Sequence, residues 1–167
     1  MAALIAAGAV ISLPLGSVPF TMQTFFVYLA GFVLGPKNGV LAVVIYICAG
    51  ALGLPVFSGG KAGLAHLFSP TGGFIAGFVV CAAVCGLASK RFRKSDPHLL
   101  ILILFGLLGM AALFGLGIIV LWLHPALNMT LWLAMAALGP FMAIDLVKLG
   151  AAMLIYQRML KWSIVPN

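Results

Sequence analysis

Only two carboxylic side chains, Asp96 and Asp145, occur in this chain of 167 residues, and there is no glutamate. With 65% hydrophobic and 7% charged residues, the chain lacks the polar cover of a soluble domain. Its apolar runs are continuous rather than alternating, which points to spanning helices and away from a β-barrel. A hydrocarbon core of roughly 30 Å needs about 20 residues per helix, so the length allows about five or six spans. Residues 1–167 therefore read as a single transmembrane domain with no separate soluble one.

The net charge of +7 sits in short loops between apolar runs. Basic residues there anchor a membrane protein rather than bind nucleic acid. Cys48, Cys81 and Cys85 fall inside apolar runs and outline neither a disulfide framework nor a zinc site; they read as packing residues. The N-terminus looks at first sight like a signal peptide, but it lacks a basic leading region and reads as a shortened first helix.

Six spans are expected. The first covers about Met1–Leu13, and its Ala2, Ala3, Ala6 and Ala7 form small-residue pairs that let another helix approach closely. Internal packing explains those alanines equally well. Pro14, Gly16 and Pro19 make a turn, and the second span runs Phe20–Leu34 with the polar amide of Gln23 inside it. Gly35, Pro36, Lys37, Asn38 and Gly39 make a tight turn before the third span, Val40–Gly53, which contains Tyr46. The fourth and fifth spans are Gly73–Ser89 and Leu99–Leu123. The last apolar run is broken at Gly139-Pro140, so the sixth span is expected over Pro140–Leu160. With six spans, Lys37, Lys90, Arg91, Arg93, Lys94, Arg158 and Lys161 share one side with both termini, the cytoplasmic one, and Lys61 stands alone outside.

Between the third and fourth spans, LPVFSGGKAGLAHLFSPTGGF cannot form a spanning helix. Irregular backbone near a bilayer survives only in water, buried in protein or lining a cavity. The aromatics Phe57, Phe68 and Phe74 point to an ordered loop folded over something; a flexible external linker is the plainer alternative.

Asp145 and Lys148 lie well inside the last apolar run, three residues apart and so on one helix face. Charges at that depth are costly and usually face a bundle interior or a cavity. The two form either a mutually neutralising structural pair or a site that offers an acceptor beside a donor. Other chemistries fit poorly. GGKAG resembles the end of a phosphate-binding loop, but Pro55 stands where its first glycine belongs and Ala62 replaces the hydroxyl residue. His66, His98 and His124 share no ligand spacing, so no metal site is expected. No catalytic triad or carboxylate pair is recognisable.

Three stretches together resemble the BioY family, the biotin-specific S components of energy-coupling factor (ECF) transporters. They are VPFTMQTFFVYLAGFVLGPKNG, ALGLPVFSGGKAGLAHLFSPTGGFIAGF and PFMAIDLVKL, and the likeness covers essentially the whole chain. The resemblance implies a bundle of six helices and an outward-facing biotin pocket closed by the loop after the third helix. It also implies a plasma-membrane location and partners comprising a transmembrane coupling protein and two cytoplasmic ATPases. No enzymatic activity or cofactor is expected: biotin is cargo, and ATP binds only to the partners.

Within that resemblance Asp145 would accept from the ureido N–H groups of biotin and Lys148 would donate to its carbonyl. Phe57, Phe68 and Tyr46 are candidates for the apolar wall. Lys61 and the Gly59-Gly60 backbone are candidates for the tail carboxylate. Lys61, Gln23 and Tyr46 rest on their residue chemistry rather than on the family. The alanine face of the first span matches the surface that S components offer to the coupling protein. An S component for another vitamin, such as thiamin or riboflavin, an intramembrane enzyme and a structural membrane subunit remain the alternatives.

Overall fold

The computed structural model describes residues 1–13, 19–89 and 97–163. Among these the chain forms five α-helices: α1 Ala2–Val10, α2 Gln23–Ala51, α3 Gly72–Gly86, α4 Leu99–Leu123 and α5 Leu131–Lys161. A small antiparallel ladder pairs β1 (Ser12–Leu13) with β2 (Phe20–Thr21), and two 3-10 turns, Ser58–Gly60 and Leu64–Phe68, precede α3. α4 and α5 are each long and apolar enough to cross a membrane, as is α2 when its two arms are counted together.

The helix count departs from the expected six. The first span shrinks to the nine residues of α1. Ser12 and Leu13 are extended and pair with Thr21 and Phe20. Leu13 precedes a proline, a place where extended backbone is favoured. Pro14 and Gly16, read as turn residues, lie outside the described residues.

The expected second and third spans form one element, α2, broken at Gly35 (φ 77°, ψ 176°). Only glycine adopts that conformation readily, and Pro36 behind it starts the second arm, where a missing N–H costs little. The arms fold back on each other. Gln23 Nε2 donates to the Tyr46 hydroxyl, whereas a straight helix would hold those residues roughly 35 Å apart. A Cβ on Gly39 would lie 3.1 Å from the Ala30 carbonyl oxygen, so the arms touch backbone to backbone.

α4 has the expected bounds, but α5 does not begin at Pro140. The helix runs unbroken from Leu131, with the Thr130 hydroxyl capping the Leu133 amide. Proline removes one hydrogen bond from a helix interior, a loss that packed helices in a bilayer absorb. The basic residues Lys90, Arg91, Arg93 and Lys94, which carried the orientation argument, lie outside the described residues.

α3 packs against both α2 and α4, and α5 closes the bundle against the same two helices. The largest buried side chains are Tyr28, Tyr46, Tyr156 and Phe32, with Phe32 stacked on Tyr156 at 5.8 Å. Leu100, Leu104, Val147 and Leu154 stay exposed on the outer faces of α4 and α5, the apolar surface that a membrane covers. The alanines of α1 divide by face. Ala2 and Ala6 pack against the core, while Ala3 and Ala7 are exposed.

Candidate ligand site between α2 and α5

Helical periodicity turns Asp145 and Lys148 of α5 inward, 2% and 7% exposed, while Val147 between them is 72% exposed. Lys148 Nζ lies 2.7 Å from Asp145 Oδ1. A buried pair of this kind adds little net stability, because desolvating both charges offsets their attraction. The site therefore depends on what else reaches the pair.

The first two turns of α2 supply those partners. Thr24 Oγ1 donates to Asp145 Oδ1 and the Tyr28 hydroxyl donates to Oδ2, each at 2.7 Å. Lys148 Nζ donates to the Thr21 carbonyl at 2.7 Å and to Thr24 Oγ1 at 3.0 Å, besides Asp145. It also sits 4.1 Å from the centre of the Phe20 ring, a favourable place for a cation. An ammonium has three donors and a carboxylate about four acceptor positions. Lys148 is thus fully engaged, whereas Asp145 Oδ2 keeps one acceptor position. All three Lys148 donors are engaged within the protein, so donation to a ligand would release one of its bonds to α2. The three-residue spacing could not reveal this, because those bonds form only when α2 docks on α5.

The pair opens into a cavity. Gln23, Tyr46 and Phe57 line it, together with Thr21, Thr24 and Phe20 at the polar end. Phe74 and Phe78 of α3, Phe114 of α4 and Phe141 of α5 complete an aromatic wall. Gln23 is held by Thr21, whose hydroxyl donates to Gln23 Oε1 at 3.2 Å. Four expected residues stand apart. Gly59, Gly60, Lys61 and Phe68 do not line the cavity; all four are exposed, Phe68 by 82%. Gly59 and Gly60 turn the chain away with φ of 72°. Phe68 ends a 3-10 turn whose inward residue is His66 instead.

The loop reaches the cavity through Phe57, Ser58, His66 and Thr71. Phe57 packs edge-on against Tyr46 at 5.7 Å and lies 5.0 Å from the His66 ring. It fills the notch left by Gly50, where a Cβ would fall 2.3 Å from the ring. Burial, and secondarily the Lys61 charge, lower the pKa of His66 below its ordinary value. Among the described residues no group of three His, Cys, Asp or Glu side chains could hold a metal ion.

Sequence reasoning missed Thr24 and Tyr28. Thr24 and Tyr28 are four apart, a spacing that stacks two hydroxyls on one helix face. His66 was read as a loop residue, without a place in the ligand site.

Residues 1–164 match the model of the BioY family. The chain belongs to the BioY family. This BioY chain is 41% identical over 164 residues to the biotin transporter BioY of Thermotoga maritima, covering 97% of this chain and 92% of that protein. It is 39% identical to the probable biotin transporter BioY of Pyrococcus horikoshii, covering 94% and 90%. Its fold is similar to the crystal structure of the S-component for biotin from an ECF-type ABC transporter, with a TM-score of 0.85 and 26% identity. That match covers 96% of this chain and 86% of the other. The pocket of this BioY chain is thus a polar pair at one end of an aromatic cavity, inside a helical membrane bundle.

Proposed function

We propose that this BioY chain is the biotin-binding S component of an ECF-type transporter, a capture subunit and not an enzyme. The observation that carries the reading is the free acceptor position of Asp145 Oδ2 beside an aromatic cavity, in a chain of this family. The ureido N–H groups of biotin donate to Asp145. Lys148 turns one N–H from Thr21 or Thr24 to the ureido carbonyl. Gln23 and Tyr46 border the polar end, and Phe57, Phe74, Phe78 and Phe114 enclose the sulfur ring and alkyl tail. Lys61 and the Gly59-Gly60 backbone meet the tail carboxylate once the loop closes.

The two arms of α2 act as separate spans, giving six crossings of the plasma membrane with both termini in the cytoplasm. The glycine-rich loop then faces outward. Ala3 and Ala7 form the outer part of the α1 face that docks the coupling protein, with Ala2 and Ala6 beneath. Two cytoplasmic ATPases supply the energy, and the chain itself holds no cofactor.

Titration calorimetry on the purified chain in detergent, with biotin, thiamin and riboflavin and without ATP, tests the reading. Biotin alone should bind. A folded chain that ignores biotin, or prefers another vitamin, would overturn it.

A further inference from the structure

The loop before α3 carries a buried imidazole to which the biotin reading gives no role. His66 is 8% exposed and lines the cavity. Counting protons orders the hydrogen bonds around it. Ser69 Oγ lies 2.7 Å from the His66 carbonyl oxygen, which can only accept, so the Ser69 proton is used there. Ser69 Oγ and Thr71 Oγ1 are 2.8 Å apart, so Thr71 provides the proton between them. Thr71 Oγ1 then has only lone pairs for His66 Nε2 at 3.2 Å, and Nε2 must carry the hydrogen. The bonds form a one-way cycle from the imidazole through Thr71 and Ser69 to the carbonyl of His66. In the neutral ring Nδ1 is then bare, 3.5 Å from a Ser69 oxygen whose proton is already committed.

The cycle ties the His66 ring to the start of α3, since Thr71 immediately precedes that helix. The ring in turn backs Phe57, tilted 30° to it with centroids 5.0 Å apart. Phe57 has Tyr46 on another side and the Gly50 notch beneath it. A second tie holds the loop to α2, where the Gly63 amide donates to the Gly50 carbonyl at 2.7 Å.

We propose that His66, as its neutral Nε2–H tautomer, is a positioning residue that keeps Phe57 seated as the loop-side wall of the cavity and so slows ligand release. The proposal rests on the biotin reading of the cavity. The cycle needs the hydrogen on Nε2, and burial beside Lys61 favours the neutral ring, in which Nδ1 carries none. The other charged groups on the cavity, Asp145 and Lys148, are already paired with each other.

The test measures release of radiolabelled biotin from the detergent-purified chain during a chase with unlabelled biotin. His66→Leu keeps bulk and removes the cycle. His66→Asn places its amide where Nδ1 was, and His66→Gln reaches to where Nε2 was. His66→Leu and His66→Asn should release biotin about tenfold faster, the scale of one lost buried hydrogen bond. His66→Gln should stay within about threefold of the parent. Parent-like release from His66→Leu, or His66→Gln as fast as His66→Asn, would overturn the proposal. If His66→Leu does not fold, the comparison of Asn with Gln still decides. Nitrogen NMR on histidine-labelled protein needs no biotin: it should find Nε2 protonated and Nδ1 bare at neutral pH, and the opposite tautomer would overturn the cycle. A parent chain that fails to bind biotin would instead overturn the biotin reading, leaving the tautomer result to judge the cycle.

Discussion

The Tyr28 hydroxyl donates to Asp145 Oδ2 at 2.7 Å, tying α2 to α5 across 117 positions of sequence. Tyr28 does not line the cavity, so it orients the carboxylate from behind. Tyr28→Phe removes that bond and little volume. Biotin binding should weaken by roughly five- to tenfold, about 1 kcal/mol, with a similar or smaller loss of stability. Calorimetry and thermal melts on one preparation check this. Unchanged affinity would mean that Thr24 and Lys148 alone hold Asp145 in place.

Lys148→Met leaves Asp145 as an uncompensated buried charge and should lower stability by about 3 to 5 kcal/mol. Combining it with Asp145→Leu removes both charges, and stability should return in part, since the Thr24 and Tyr28 hydroxyls lose their acceptor. Biotin binding should not return with it. A double variant that melts like the parent and still binds biotin would make the pair purely structural.

The outer alanines give a separate test. Ala3→Leu and Ala7→Leu enlarge exposed positions of α1 and should spare biotin binding while blocking capture of the coupling protein. Ala6→Leu, by contrast, enlarges a position packed against the core and should cost about 1 to 3 kcal/mol of stability by overpacking. Co-purification of the coupling protein with each variant is the measurement. Normal capture by Ala3→Leu and Ala7→Leu would confine the alanines to packing within the bundle.

Stability should depend on pH through His66. Its pKa in the fold lies below its ordinary value, which is about 6.5 in an unfolded chain. Above that pH both states are neutral. Below it the unfolded chain takes up a proton that the folded chain resists, so stability falls as pH drops. The charged groups near the ring, Lys61 on the loop and the Asp145–Lys148 pair across the cavity, keep their places in His66→Gln. Melts between about pH 8 and 5 should therefore show a downward slope in the parent that His66→Gln lacks. Equal slopes in both would put the titration elsewhere.

Much of the architecture was legible in the sequence. Leu99–Leu123 needed only its length and apolar composition. The inward face of α5 needed only the cost of a buried charge and the spacing of Asp145 from Lys148. The errors came where local signals were strong but packing prevailed. Pro140 looked like a helix start and is an interior residue of α5. Which part of the loop faces the cavity was not legible: its turns present Phe57, Ser58 and His66 there, and leave Gly59, Gly60, Lys61 and Phe68 exposed. Backbone angles at a few glycines decide which residues of such a loop point inward, and those angles are set by contacts with α2 and α3.

The sequence by itself determined that this chain is a bundle of membrane helices with one buried charged pair. An apolar chain with so few acids has no other solvent to fold in, and a charge left in hydrocarbon must find partners. Only the tertiary structure decided which partners. Thr21, Thr24 and Tyr28 meet Asp145 and Lys148 because α2 reverses at Gly35 and lays its first turns beside α5. Hydrogen bonds act over about 3 Å, so residues more than a hundred positions apart become one site only after the helices have packed.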